Sequence, residues 1–460
     1  MNNSATSYRI NYICLTASIG GLLFGFDTAV ISGAINLVKS QFSLNAILEG
    51  WLVSSGLVGC IIGVFMTGFL SDRIGRKKTM MLAGGMFFLS GIGCSFASSM
   101  TPLIAARVIG GIGVGMASVV SPMYIAEFAP ADKRGRMIAY YQLAITIGIL
   151  LAYFSNALLV SFSQNNFENA VFVWFFKEET WRPMFLAMSI PSFIFLIMVI
   201  KVPESPRWLV SINKRENAKK ILNSVRPPLQ AAAEFQDIEN AAIKSIDKKI
   251  SVFDRSIRLP LIIGIVLAVL QQFSGINAII YYGPSIFKTA GIASNNALLF
   301  QVIIGAVNLL FTFVAIRSVD KYGRKFLLLT GLSGIIFSLI FCGFLFYIGH
   351  TDTILLLVLI LLFIACFAFS LGPVTWILIN EIFPTAVRVK AVSICTLALW
   401  IAVWIVGQFF PWLLEKEGAA VTFWIFAAFS IINFFFSLKV VKETKGKSLE
   451  EMEDVFVLPH

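Results

Sequence analysis

Asp27 closes the run Gly20-Gly21-Leu22-Leu23-Phe24-Gly25-Phe26-Asp27, inside an apolar stretch covering about residues 10–33. An ionised carboxylate in hydrocarbon costs about 2.5–3.5 kcal/mol on insertion scales, so a residue of this type there needs a reason. Burial favours its protonated form and a nearby cation its ionised form. A rearrangement that moves the cation would therefore convert a change of shape into proton uptake or release. Arg107 is the one base away from the ends of an apolar stretch and is the obvious partner. The alternative is a permanent Asp27–Arg107 ion pair that only joins two helices.

A second chemistry lies in Gln271-Gln272-Phe273-Ser274-Gly275-Ile276-Asn277, where three amides fall mid-stretch and Tyr281 follows Asn277 by one helical turn. Amides donate and accept at once, which suits a neutral polyhydroxylated ligand better than an ion. Gly275 permits local unwinding, which would let Asn277 point the same way as the glutamines. Asn308 adds an amide, and Trp376, in Gly372-Pro373-Val374-Thr375-Trp376, adds an indole able to stack on a sugar face. Phe24, Gln142 and Trp400 complete the candidate substrate residues. Hydrogen bonding between helices is the alternative reading of the amides, and core packing that of the tryptophans.

A third pattern occurs twice. Asp72-Arg73-Ile74-Gly75-Arg76-Lys77 returns as Asp320-Lys321-Tyr322-Gly323-Arg324-Lys325, and each copy precedes an acid-x-x-Pro-x-x-x-Arg element, Glu127/Pro130/Arg134 and Glu381/Pro384/Arg388. Anchoring to anionic headgroups would explain the lysines but not acids and arginines at matched offsets. A charge network that opens and closes a gate is expected from Asp72, Arg76, Glu127, Arg134, Glu204, Asp320, Arg324, Glu381, Arg388 and Glu443.

The elements that must position these groups are membrane spans. The chain has 460 residues, 58% of them hydrophobic and 13% charged, with mean hydropathy +0.84, too apolar for a soluble globule. Twelve apolar stretches can cross a bilayer core of about 30 Å. They cover approximately 10–33, 50–70, 79–98, 102–126, 138–160, 183–202, 258–283, 297–318, 326–348, 353–378, 391–414 and 420–440. The formal charge of +11 could suggest nucleic acid, but it follows topology: all but six of the 36 Lys and Arg fall in alternate loops on one side. By the positive-inside rule both termini are cytoplasmic. The six cysteines lie within spans at no metal or redox spacing and read as packing residues. The N-terminal stretch is too long for a signal h-region and stays as the first span.

The composition breaks once, at 203–257, dividing the chain into a six-span bundle (1–202), a helical linker (203–257), a second six-span bundle (258–441) and a tail (442–460). In the linker, Ala218, Ile221, Leu222 and Val225 repeat at helical spacing up to Pro227-Pro228. Phe235, Ile238, Ala242 and Ile246 mark a second helix. A solvated linker and a cuff bracing both halves are both open readings. The outer loop 161–182, with Phe167, Phe172, Trp174, Phe175 and Phe176, reads as an interfacial aromatic belt. Gly111 and Gly115, like Gly21 and Gly25, form small-xxx-small stripes for close helix packing.

These residues resemble the sugar porters of the major facilitator superfamily, and most closely its bacterial xylose/proton symporters. The likeness runs through the Asp27 segment, Arg107 with its glycines, Pro203-Glu204-Ser205-Pro206-Arg207-Trp208-Leu209, Gln271 to Asn277, Gly372-Pro373, Glu381-Ile382-Phe383-Pro384 and Glu443-Thr444-Lys445-Gly446-Lys447. It implies an all-α fold of twelve transmembrane helices in two pseudo-symmetric six-helix bundles, alternating access, and sugar held mainly by the second bundle. In proton-coupled members the first-span Asp pairs with the fourth-span Arg, so Asp27 favours symport. Two positions depart from the pattern: Ile149, between Gln142 and Asn156 on one face of the fifth span, and Leu399, before Trp400, stand where amides are usual. The loss of each bond to a hydroxyl would cost roughly 1–3 kcal/mol, which favours a less hydroxylated or differently shaped solute. Val389 and Lys442 replace an expected Gly and Pro beside the gate.

The expectation is a proton-coupled symporter of a sugar-like solute, monomeric, in the cytoplasmic membrane, with the proton as coupling ion and no cofactor, metal or nucleic-acid partner. A facilitative uniporter is the nearest alternative. A transporter-like sensor would need a longer tail. An enzyme is excluded: His350 and His460 lie outside the spans, and no nucleophile–base pair, metal cluster or phosphate loop occurs.

Overall fold

In hydrocarbon a backbone N–H or C=O has no water to bond, so each apolar stretch satisfies its own backbone as a helix. The chain, in a computed structural model, is described over residues 3–130, 134–247, 254–349, 353–383 and 387–445, and no strand occurs among them. Eleven helices there are long and apolar enough to span a membrane. The remaining expected span forms the helix Arg76–Ser95, whose Arg76-Lys77-Lys78 start lowers its hydropathy. The first span runs unbroken as Asn3–Phe42, beyond its expected end at 33, because Ala34, Ile35 and Val38 continue its buried face. Ser43, with φ at 49°, stops it.

One packing pattern occurs twice. The first span packs on the fifth, the second and third on the fourth, and the third on the sixth. Likewise the seventh packs on the eleventh, the eighth and ninth on the tenth, and the ninth on the twelfth. The halves meet through the second and eleventh, fifth and eighth, and first and seventh spans, as expected of like bundles related by an axis along the membrane normal. The glycine stripes serve close approach: a Cβ on Gly111 would lie 1.8 Å from the Gly56 carbonyl oxygen, and one on Gly25 2.0 Å from that of Ile145.

The halves differ in continuity. The seventh span breaks between Arg255–Gln272 and Ile276–Thr289, where Gly275 takes a left-handed φ of 87°. The tenth breaks at Ser370, between Thr353–Phe369 and Leu371–Glu381. Gln271 Nε2 donates to the Leu371 carbonyl at 2.7 Å, which ties the two breaks together.

The linker forms the helices Pro206–Ser211, Arg215–Val225 and Pro228–Asp247. Leu209, Ala218, Leu222, Phe235 and Ile238 build a small core of their own. The side chains of Ala242 and Ile246 lie outside the described residues. Arg226 donates to the Phe128 carbonyl at 2.7 Å, Arg9 to that of Ser224 at 3.3 Å and Trp208 to that of Asp72 at 2.8 Å. All of these bonds reach the first half, whereas a cuff would require both.

The aromatic outer loop packs on itself and against the end of the first span. Its rings cluster around a π-helical turn, Val173–Glu178. Behind them the Arg182 guanidinium lies 4.4 Å from the Trp181 ring centroid and 4.9 Å from that of Trp174. Glu179 accepts from Arg182, Gln41 and Trp174, which ties the loop to the end of the first span. Burial opposes the charge on Glu179, but these bonds hold its carboxyl below the ordinary range.

Candidate functional site

The first and fourth spans bring Asp27 and Arg107 together. Arg107 Nη1 donates to Asp27 Oδ1 at 3.0 Å, with both side chains buried. A Cβ on Gly110 would lie 2.4 Å from Ser90 Oγ, so this glycine lets the fourth span approach the third beside the pair. Among the described residues, Arg107 Nε has no hydrogen-bond partner. Tyr281, from the other half, is within electrostatic reach of both groups, so the pair lies near the seam between the bundles.

On the far side of that seam the three amides form a chain. Asn277 Nδ2 donates to Gln272 Oε1 at 2.6 Å, Gln272 Nε2 to Gln271 Oε1 at 3.2 Å, and Gln271 on to the Leu371 carbonyl. The left-handed Gly275 is what turns Asn277 back towards Gln272. The chain begins at Asn277, which is half-buried and accepts no bond on its Oδ1 among the described residues. The Phe24 and Trp400 rings meet across the seam at 5.5 Å.

Among the described residues, the amides of Gln142 and Asn308, the Tyr281 hydroxyl and the indole N–H groups of Trp376 and Trp400 make no hydrogen bond, yet none is a sealed orphan. Buried polar groups are nearly always paired, so these groups hold bonding capacity that the described protein groups do not use. Ile149 and Leu399 are both buried and apolar. Asn156, on the same fifth-span face, instead binds the Val30 carbonyl at 3.0 Å.

The duplicated charged motifs fold as near copies. Arg76 pairs with Glu127 at 3.2 Å and with Asp72 at 3.2 Å, while Glu204 accepts the Arg76 and Lys77 N–H groups at 3.0 and 3.2 Å. In the second half Arg324 pairs with Glu381 at 3.0 Å, and Glu443 accepts the Arg324 and Lys325 N–H groups at 2.9 and 3.0 Å. Each glutamate therefore caps the positive start of a helix. Gly75 and Gly323, at φ 93° and 90°, turn the chain so that those N–H groups converge. Arg388 Nε and Nη2 donate to the Phe383 carbonyl. The side chains of Arg134 and Asp320, and Pro384, lie outside the described residues. Arg76 thus finds its acids in the first half and Arg324 an acid in the second.

The hydrogen bonds that cross the seam among the described residues come from residues the sequence reading passed over. Ser54 donates to Gln408 Oε1 at 2.6 Å, Gln408 Nε2 to the Ile47 carbonyl at 3.1 Å, Ser285 to Asn36 Oδ1 at 3.1 Å, and Tyr153 to the Ile280 carbonyl at 3.0 Å. All lie away from the basic loops. Beside them the nearly buried Glu49 pairs with Lys39 at 2.6 Å. Gln408, an amide within an apolar stretch, carried the same signal as Gln271. The halves are sealed on the face opposite the basic loops, and the fifth and eighth spans part at the basic end around a cleft of about 410 Å³.

Two like bundles closed on one face, parted on the other, with polar groups free between them, define an alternating-access membrane carrier. Residues 13–456 match the family model "Sugar (and other) transporter". The chain is similar to the arabinose-proton symporter of Bacillus subtilis (42% identity, covering 98% of this chain and 96% of that one). It is also similar to the D-xylose-proton symporter of Escherichia coli (38% identity, 98% and 97%). The inward-open structure of the xylose transporter XylE from E. coli superposes with a TM-score of 0.83 at 36% identity, over 97% of this chain and 100% of that one. The protein belongs to the sugar transporter family of the major facilitator superfamily. It is a multi-pass membrane transporter and not an enzyme.

Proposed function

We propose that this chain is a proton-coupled symporter of a sugar or sugar-like polyhydroxylated solute. The observation that carries the reading is the buried Asp27–Arg107 pair, set within electrostatic reach of Tyr281 on the ligand side of the seam. Protonation of Asp27 cancels its charge and frees Arg107, whose Nε is already without a partner among the described residues. The cost of separating the two groups falls, and the loaded carrier can reorient. Gln142, Gln271, Gln272, Asn277, Tyr281, Asn308, Trp376 and Trp400 would hold the solute, with Phe24 closing over it. The charge networks around Arg76 and Arg324 brace the ends of each half at the gate. No cofactor beyond the coupling proton is required.

The similarity to arabinose and xylose symporters supports a monosaccharide-like solute. The apolar Ile149 and Leu399 narrow it to one with fewer hydroxyls or a different shape. The basic loops support a location in the cytoplasmic membrane with both termini in the cytoplasm. One chain encloses the whole pathway between its halves, which supports a monomer. Asp27→Asn in proteoliposomes tests the coupling: solute-driven proton movement should vanish while solute exchange persists. Full accumulation against a gradient by that variant would establish a uniporter with a structural pair.

A further inference from the structure

We propose that the cleft between the fifth and eighth spans at the basic end is a site for an anionic phospholipid, whose headgroup phosphate bridges Arg136 and Arg317. The cleft, of about 410 Å³, is lined by Arg136, Ala139, Tyr140 and Leu143 from one half and Phe313, Ile316 and Arg317 from the other. Its two charged groups have the same sign and come from opposite bundles. Neither pairs with a carboxylate among the described residues. An anion between them would supply what the protein does not.

The rest of the lining fits an acyl chain. Tyr140 and Phe313 are 46% and 42% exposed on helices that face lipid, so a molecule from the bilayer can enter sideways with its chains on these rings. A freely soluble anion would gain nothing from that apolar floor. The same two helices pack closely nearer the sealed face, where a Cβ on Gly305 would lie 3.0 Å from the Tyr153 ring. The cleft therefore exists only while the basic ends are apart. A lipid that fits only this form favours it in proportion to its differential affinity. Lipid composition would thus set the resting balance of the carrier, independently of which solute or ion it moves.

The test uses the full chain in nanodiscs, with spin-labelled phosphatidylglycerol and phosphatidylcholine as probes. The wild type should bind the anionic lipid preferentially. Arg136→Gln with Arg317→Gln should reduce that preference by roughly fivefold per arginine. Arg136→Lys with Arg317→Lys should keep most of it, which separates charge from misfolding. Lys201→Gln with Lys439→Gln, which removes equal charge outside the cleft, should reduce it distinctly less, by the general surface attraction alone. An unaltered preference in the Gln/Gln variant, or an equal loss in the Lys201/Lys439 control, overturns the site. Inorganic phosphate should not displace the labelled lipid; displacement would make this a soluble-anion site and overturn the lipid assignment. Phosphatidylglycerol should also slow amide exchange at residues 276–290, on the sealed face, in the wild type but not in the Gln/Gln variant. No such slowing in the wild type would refute the conformational role.

Discussion

Gln408→Leu should tip the carrier towards opening on the face opposite its basic loops. Gln408 makes two bonds across the seam, to Ser54 and to the Ile47 carbonyl, and both it and Ser54 are buried. Once that face opens, the same groups bond to water, so the two bonds count only towards the closed form. At about 1 kcal/mol net for each, their loss removes about 2 kcal/mol from the closed side, a shift of about 30-fold in the equilibrium. Hydrogen–deuterium exchange read by mass spectrometry gives a signed result. Peptides covering 30–42 and 276–290 should exchange faster in the variant, while those covering 136–143 and 313–317 should exchange more slowly as the basic ends come together. Faster exchange at both ends would indicate general loosening and refute the rocking argument. Unchanged exchange at both would show that Gln408 does not help to seal the seam.

The networks at the basic face make separate predictions. Gly323→Ala must hold a side chain at φ 90°, in a region open almost only to glycine, and its Cβ would lie 2.7 Å from Glu443 Oε2. A loss of about 1–3 kcal/mol is expected from the strain, seen as a lower Tm; an unchanged Tm would show that the turn relaxes freely. Glu443 is opposed by burial, but four backbone N–H groups hold its carboxyl below the ordinary 4.5. The folded state therefore binds its proton less readily than the unfolded one. The stabilisation is complete above about pH 4.5 and is lost as pH falls through the lowered value. Glu443→Gln should be less stable at pH 7 and show a shallower fall of Tm in acid; parallel pH profiles would remove Glu443 from the acid response. Ile149→Gln with Leu399→Gln should improve binding of xylose or glucose, and unchanged affinity for both would take these positions out of the selectivity argument.

Much of the candidate site was legible because bilayer chemistry makes polar residues conspicuous. Asp27, Arg107 and the amides from Gln271 to Asn277 stood out because hydrocarbon tolerates such groups only where they are paired or used. The break at Gly275 was legible for the same reason: only an unwound turn lets Asn277 join Gln272. Gln408 carried an equal signal, but no repeat or neighbouring amide drew attention to it. Glu49 sits at the edge of a span, where a carboxylate is unremarkable in sequence.

The sequence by itself determined that the chain crosses a membrane, that it is one unit written twice, and which side carries the positive charge. These follow from hydropathy, repetition and the placement of Lys and Arg, which depend on local order along the chain. Only the tertiary structure decided which face is sealed, that the linker is bound to the first half, and that Arg76 and Arg324 each pair with an acid of their own bundle. Such facts depend on which distant helices touch and at what height. The two halves can rock between arrangements that one set of local preferences serves equally well, so contacts such as Ser54 with Gln408, 354 positions apart, have no signature in the order of residues.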